Sequence, residues 1–112
     1  MEHTKTPWRI GAGTSTGAVV ADEAVPEIGG SDAVAYYGGH LIAESIAPRN
    51  AAFIVRACNT HDALLEYFRA GVALGNTLGH PDATAADENR AEARYDAARV
   101  AANAALRAAG VA

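Results

Sequence analysis

Short apolar runs broken by glycines fill the first part of the chain, and a three- and four-residue apolar rhythm takes over from Pro48. Trp8-Arg9-Ile10 after Pro7, and Ala18-Val19-Val20-Ala21 before the acidic Asp22-Glu23, read as short strands punctuated by Gly11, Gly13 and Gly17. Beyond Pro26 and the Gly29-Gly30-Ser31 loop, Ala33-Val34-Ala35-Tyr36-Tyr37 and His40-Leu41-Ile42-Ala43-Glu44 read as two more strands. The Gly38-Gly39 pair between them supplies the positive φ angles of a tight hairpin turn. Three or four short antiparallel strands are expected, with Tyr36 and Tyr37 on opposite faces of one of them.

From Pro48, which suits the first turn of a helix, the period changes. Ile54, Ala57, His61, Leu64 and Phe68, with Val55, Cys58, Leu65 and Val72 beside them, predict a broad buried side. Asn59, Asp62, Glu66, Arg69 and Asn76 mark the polar side. Gly79-His80-Pro81-Asp82 breaks this helix, and Thr84 with Asp87 offers a variant capping box for a second, alanine-rich one that stops at Gly110. The expected fold class is therefore α+β: a small N-terminal antiparallel β-sheet followed by a hairpin of two long α-helices. A single domain over residues 1–112 is expected, with 1–47 as its sheet part and 48–112 as its helical hairpin.

Composition narrows the functional classes. A net charge of −4, with Lys5 the sole lysine, leaves no basic footprint for duplex nucleic acid. The remaining basic residues are eight arginines, the side chain suited to forked contacts with phosphate. Cys58 is the single cysteine, which excludes an internal disulfide and fits a reducing, cytoplasmic location. No charge-free apolar stretch of membrane-spanning length occurs, so no membrane partner is expected. Alanine buries little area per residue, and self-association is an expected further source of burial.

Arg90 and Arg94 lie one turn apart and share a side of the second helix, while Glu88, Glu92 and Asp96 form a separate acidic stripe. Setting like charges together costs about a few tenths of a kcal/mol per pair, so the sorting needs a reason. One reason is an anion site, with two guanidinium groups near a helix N-terminus. In an antiparallel hairpin Phe68, Arg69 and Asn76 come near that level, and could stack on and read a nucleobase. The other reason is pairing of both arginines with carboxylates of the sheet or of a second subunit. Cys58 and His61 stand three apart, a spacing too common to specify zinc, and no metal or cofactor is expected. His61 and Asp62 point about 100° apart on a helix and are not expected to pair. With no nucleophile elbow at Ser15, Ser31 or Ser45, and no lysine after the glycines at 11, 13 and 17, an enzyme is not expected.

Thr6-Pro7-Trp8-Arg9, His40-Leu41-Ile42-Ala43, Asn50-Ala51-Ala52-Phe53-Ile54-Val55-Arg56-Ala57 and Leu64-Leu65-Glu66 together resemble a phrase shared by small proteins of tailed phages and prophages. The inferred architecture is similar to the first family of Thoeris anti-defence proteins. That resemblance implies a homo-oligomeric sponge in the host cytoplasm that sequesters cyclic ADP-ribose isomers, and in some members cyclic oligonucleotides, without degrading them. It also implies pockets at subunit interfaces with arginines on the phosphates, a role that Arg90 and Arg94 match in residue type and place. The rival expectation is a protein–protein inhibitor of a host defence complex, comparable to an anti-CRISPR, that applies the Glu88/Glu92/Asp96 stripe to a basic surface.

Overall fold

A computed structural model describes residues 2–12, 17–26 and 31–111, with the side chains of residues 31–33 outside the description. Gly13, Ser15 and the Gly29-Gly30 part of the expected loop lie outside the described residues. The protein is α+β: a three-stranded antiparallel sheet at the N-terminus followed by long helices. Its elements are β1 (Trp8–Ile10), β2 (Gly17–Ala21), α1 (Ser31–Tyr37), β3 (His40–Ile46), α2 (Pro48–Leu78) and α3 (Ala85–Ala108). The chain divides into two compact units, Met1–Asn59 and Thr60–Ala112, with the division falling inside α2.

In the first unit β2 is the central strand, flanked by β1 and β3. All of its residues are buried, and Val19 and Val20 are the largest fully buried side chains described. Burial on both faces explains why Gly17-Ala-Val-Val-Ala is continuously apolar instead of alternating. Gly17 is a strand residue here, not the turn residue expected. A Cβ on it would stand 2.6 Å from the Ile46 carbonyl oxygen, so only glycine fits this approach. Between Gly17↔Ile46 and Val19↔Ala43, and again between Val19 and Val20↔Leu41, β3 contributes one residue more than β2. These bulges bend β3, and Ser45, exposed, takes a positive φ of 60° there.

The expected strand at Ala33–Tyr37 is instead the short helix α1, and Gly38-Gly39 is not a hairpin turn. Gly38, at φ 73°, ends the helix: its N–H and that of Gly39 both donate to the Val34 carbonyl, at 2.9 and 3.1 Å. The same pair of glycines serves either geometry, and the alanines at 33 and 35 favour the helical one. Tyr36 and Tyr37 consequently do not alternate across a strand. Their rings meet edge to face at 4.7 Å, Tyr36 stays exposed, and the Tyr37 hydroxyl donates to the Glu44 carboxylate, which raises the Tyr37 pKa.

β1 is an edge strand, and its first residue is closed by a side chain. Asn59 of α2 accepts from the Trp8 N–H and donates to the Trp8 carbonyl, both at 2.7 Å. One carboxamide thus does for Trp8 what a neighbouring strand would do.

In the second unit α2 and α3 run antiparallel. Glu66 pairs with Arg94, Tyr67 with Tyr95, and a Cβ on Gly71 would rest 3.5 Å from the Tyr95 ring. The Tyr67 and Tyr95 hydroxyls hydrogen-bond at 3.0 Å with ring centroids 5.3 Å apart, which raises the Tyr95 pKa. α3 starts on the capping box expected of Thr84 and Asp87 and ends with Gly110 at φ 75°. The expected broad buried side of α2 is not found. Ala57, His61, Leu64 and Phe68 are exposed, because the contacts with α3 fall instead on the line of Glu66, Tyr67 and Gly71. The side chains that are nearly fully buried in this unit, among the described residues, are Thr60, Ala70, Ala98 and Ala102.

Candidate functional site

The turn between α2 and α3 is built by local hydrogen bonds. Thr77 Oγ1 donates to the Ala73 carbonyl at 2.8 Å, and the Gly79 and His80 N–H groups donate to Gly75 and Thr77. His80 Nδ1 accepts from the Asp82 N–H at 3.1 Å. In a neutral imidazole that bond assigns the proton to Nε2, so the ring presents one outward donor. Thr84 then sits in extended conformation as N-cap. Its hydroxyl accepts from the Asp87 N–H at 3.1 Å, and its own N–H donates to the Asp87 carboxylate at 3.0 Å.

Asn76, Thr77, His80, Asp82, Ala83, Asp87 and Arg90 line a depression of about 480 Å³ at this turn. Its donors are the Asn76 carboxamide, the His80 ring and the Arg90 guanidinium. Two carboxylates, Asp82 and Asp87, share the rim. Asp87 is held below its ordinary pKa, first by the Thr84 backbone N–H, then by the Thr84 side chain and the charge of Arg90. Arg90 Nη2 donates to Asp87, and the Arg90 side chain remains 74% exposed. An anion entering the depression would exchange with Asp87 as the partner of Arg90. The cap already occupies the Asp87 N–H, so recognition would rest on side chains as well as on the helix dipole.

Of the five residues expected at a ligand site, the structure brings Asn76 and Arg90 to one depression. Arg94 engages elsewhere: its Nε and Nη2 form two parallel hydrogen bonds of 2.9 Å to the two Glu66 oxygens. This forked pair lowers the Glu66 pKa, chiefly through the hydrogen bonds from Arg94, and raises that of Arg94. The carboxylates that meet the two arginines in the described chain are Asp87 of α3 and Glu66 of α2. Phe68 is 69% exposed and, like Arg69, does not line the depression. His80 was missed as a site residue, because Gly-His-Pro-Asp carries a strong helix-break signal that hides its other use. Asp87/Arg90 and Asp96/Arg99 form acid–base pairs three residues apart along α3, the latter at 3.8 Å.

His61 and Asp62, not expected to pair, do so: Nδ1 and Oδ1 lie 2.9 Å apart, both side chains exposed. The 100° between their Cβ directions does not fix the tips, which bend together at the helix surface. Among the described residues no group of three or more His, Cys, Asp and Glu side chains is placed to hold a metal ion. No described helix is long and apolar enough to cross a membrane.

A second concavity, of about 530 Å³, lies in the first unit and includes Glu2, His3, Lys5, Trp8, Glu23 and Ile42. His3 meets the Trp8 ring edge to face at 6.1 Å. Two carboxylates offset its single lysine, which makes it the poorer host for a phosphate. No protein family matches the chain, and no curated protein or solved structure matches it.

Proposed function

We propose that this chain is an anti-defence binding protein that sequesters a cyclic nucleotide immune signal, of the cyclic ADP-ribose class, in a host cytoplasm and without turning it over. The resemblance noted above motivates the choice of ligand. The observation that carries the reading is the meeting of Asn76, His80 and Arg90 in one depression at the start of α3. A guanidinium fork suits a phosphate, and a carboxamide with a ring N–H donor suits the polar edge of a nucleoside. Arg94 is a positioning residue in this reading, since its fork on Glu66 sets the two helices that carry Asn76 and Arg90. Sequestration needs affinity alone, so no nucleophile or general base is invoked.

The test is retention. The purified chain is incubated with cyclic ADP-ribose isomers and with cyclic oligonucleotides, stripped of unbound ligand and heat-denatured, and the supernatant is analysed by mass spectrometry. Intact ligand is expected, and Arg90→Ala should reduce retention roughly tenfold or more. Reversing Glu88, Glu92 and Asp96 to lysine should leave retention unchanged. No retained ligand, a degraded ligand, or full retention by Arg90→Ala would reject the reading. Loss of anti-defence activity on reversal of the acidic stripe alone would favour inhibition through a protein surface.

A further inference from the structure

The four tyrosines of the chain stand in two pairs, and the pairs differ in where their hydroxyls are placed. Tyr36 and Tyr37 are neighbours in α1, with ring centroids 4.7 Å apart. Their planes stand at 85°, however, and the Tyr37 hydroxyl donates to Glu44. Tyr67 of α2 and Tyr95 of α3 have centroids 5.3 Å apart and planes tilted by 37°. Their hydroxyl oxygens are 3.0 Å apart, closer than the centroids, so the two rings converge toward their hydroxyl ends. The Tyr95 ring can lie there because the α2 position beside it is Gly71, where a Cβ would stand 3.5 Å from Tyr95 Cε1. Both rings are half-buried and carried on long helices, which holds the arrangement from two sides.

When two phenols are joined at carbons ortho to oxygen, the hydroxyls of the resulting biphenol flank the new bond and hydrogen-bond to each other. The contact between Tyr67 and Tyr95 is that hydrogen bond, made before any reaction. We infer that Tyr67 and Tyr95 form an oxidative cross-linking site, at which a peroxide-driven one-electron oxidant couples the two rings into a dityrosine that ties α2 to α3. Each phenol gives up one electron and its hydroxyl proton. The two phenoxyl radicals then form one carbon–carbon bond between an ortho carbon of each ring, and the hydrogens on those carbons pass as protons to the oxygens, which restores both hydroxyls. The two electrons and two protons released reduce one hydrogen peroxide to two waters. Holding the partners together makes the coupling effectively unimolecular. The tie would join residues 28 positions apart, in a unit whose nearly fully buried side chains, among those described, are Thr60, Ala70, Ala98 and Ala102. A small core is where a covalent constraint on the unfolded chain counts most. Thiols exchange disulfides but do not cleave a carbon–carbon bond, so the tie would persist in a reducing compartment. Neither tyrosine lines the depression at the turn, and the inference stands apart from the identity of any ligand.

The experiment treats the dilute full chain with hydrogen peroxide and a haem peroxidase and, in parallel, with a small photogenerated one-electron oxidant that reaches half-buried rings. Mass spectrometry should show loss of two hydrogen atoms from the single chain, with the blue fluorescence of a biphenolate, and digestion should yield one linked peptide pair containing Tyr67 and Tyr95. The yield should fall roughly tenfold or more when the chain is first unfolded in urea. Tyr67→Phe and Tyr95→Phe should each abolish the fluorescence with an unchanged helical circular dichroism signal, whereas Tyr36→Phe should leave it intact. The linked chain should melt at a higher temperature than the untreated one, in the presence of thiol as in its absence. No linkage with either oxidant, or linkage mainly at Tyr36 or Tyr37, would overturn the inference. So would an equal yield from the unfolded chain, or a linked chain that melts no higher.

Discussion

Replacing Asn59 by alanine removes both hydrogen bonds that close the Trp8 backbone. Each bond of this kind contributes about 0.5–1.5 kcal/mol, and the Trp8 N–H and carbonyl are left without their partner in a partly buried position, so the expected loss is about 2 kcal/mol. Trp8 and Asn59 both lie in the first compact unit, Met1–Asn59, whose unfolding entropy is about 0.12 kcal/mol/K at about 2.1 cal/mol/K per residue, which converts that loss to a melting shift of roughly 16 °C in the transition of that unit. Trp8 is the single tryptophan, so its fluorescence during thermal or urea unfolding reports on this site directly. Asn59→Asp is the informative companion. At neutral pH it keeps an acceptor for the Trp8 N–H but sets a carboxylate against the Trp8 carbonyl, and it should be at least as damaging as alanine. Acidification should restore part of the loss, as the carboxyl gains a proton to donate. An Asn59→Ala protein within about 0.5 kcal/mol of wild type, with unchanged Trp8 emission, would refute the clamp.

Gly75 lies in the interior of α2, and a Cβ built there meets nothing within 4 Å. Gly75→Ala should therefore stabilise the chain by about 0.5–1 kcal/mol in urea titrations at low protein concentration, whereas Gly17→Ala, facing the Ile46 carbonyl at 2.6 Å, should destabilise it. Glu66 titrates below its ordinary value in the folded chain, so its contribution is present above the usual carboxylate range and is lost as pH falls through the lowered folded value. Melting curves of wild type and Glu66→Gln should converge as pH falls below the ordinary glutamate range, about 4.3; a gap that stays constant on continued acidification would contradict the assignment.

The helical part of this fold is legible residue by residue. Pro48 starts α2, the Thr84/Asp87 box starts α3, Gly110 ends it, and each mark is a local demand of the backbone at a helix terminus. Where two structures share the same local chemistry, the sequence is ambiguous: Gly38-Gly39 fits a hairpin turn as well as a helix stop, and the apolar run before it fits a strand as well as α1. The α2 pattern contains two apolar lines, and nothing local tells which of them turns toward α3. That rotation also decides that Arg94 meets Glu66 while Arg90 remains with Asp87. The proximity of Asn76 to Arg90 was legible because it depends only on distance from the turn. The Asn59 clamp was not, since it joins residues 51 positions apart.

The small side chains at Ala70, Ala98 and Ala102 carry a thermal consequence. Heat capacity rises on unfolding in proportion to the apolar surface that water reaches, and a seam of methyl groups exposes little of it. The stability of the helical unit should accordingly vary gently with temperature, with a low, flat maximum and a broad melt. The sheet unit, with Val19 and Val20 fully enclosed, should show the sharper curvature. Calorimetry of this chain would then separate its two halves by the shapes of their transitions as much as by their midpoints.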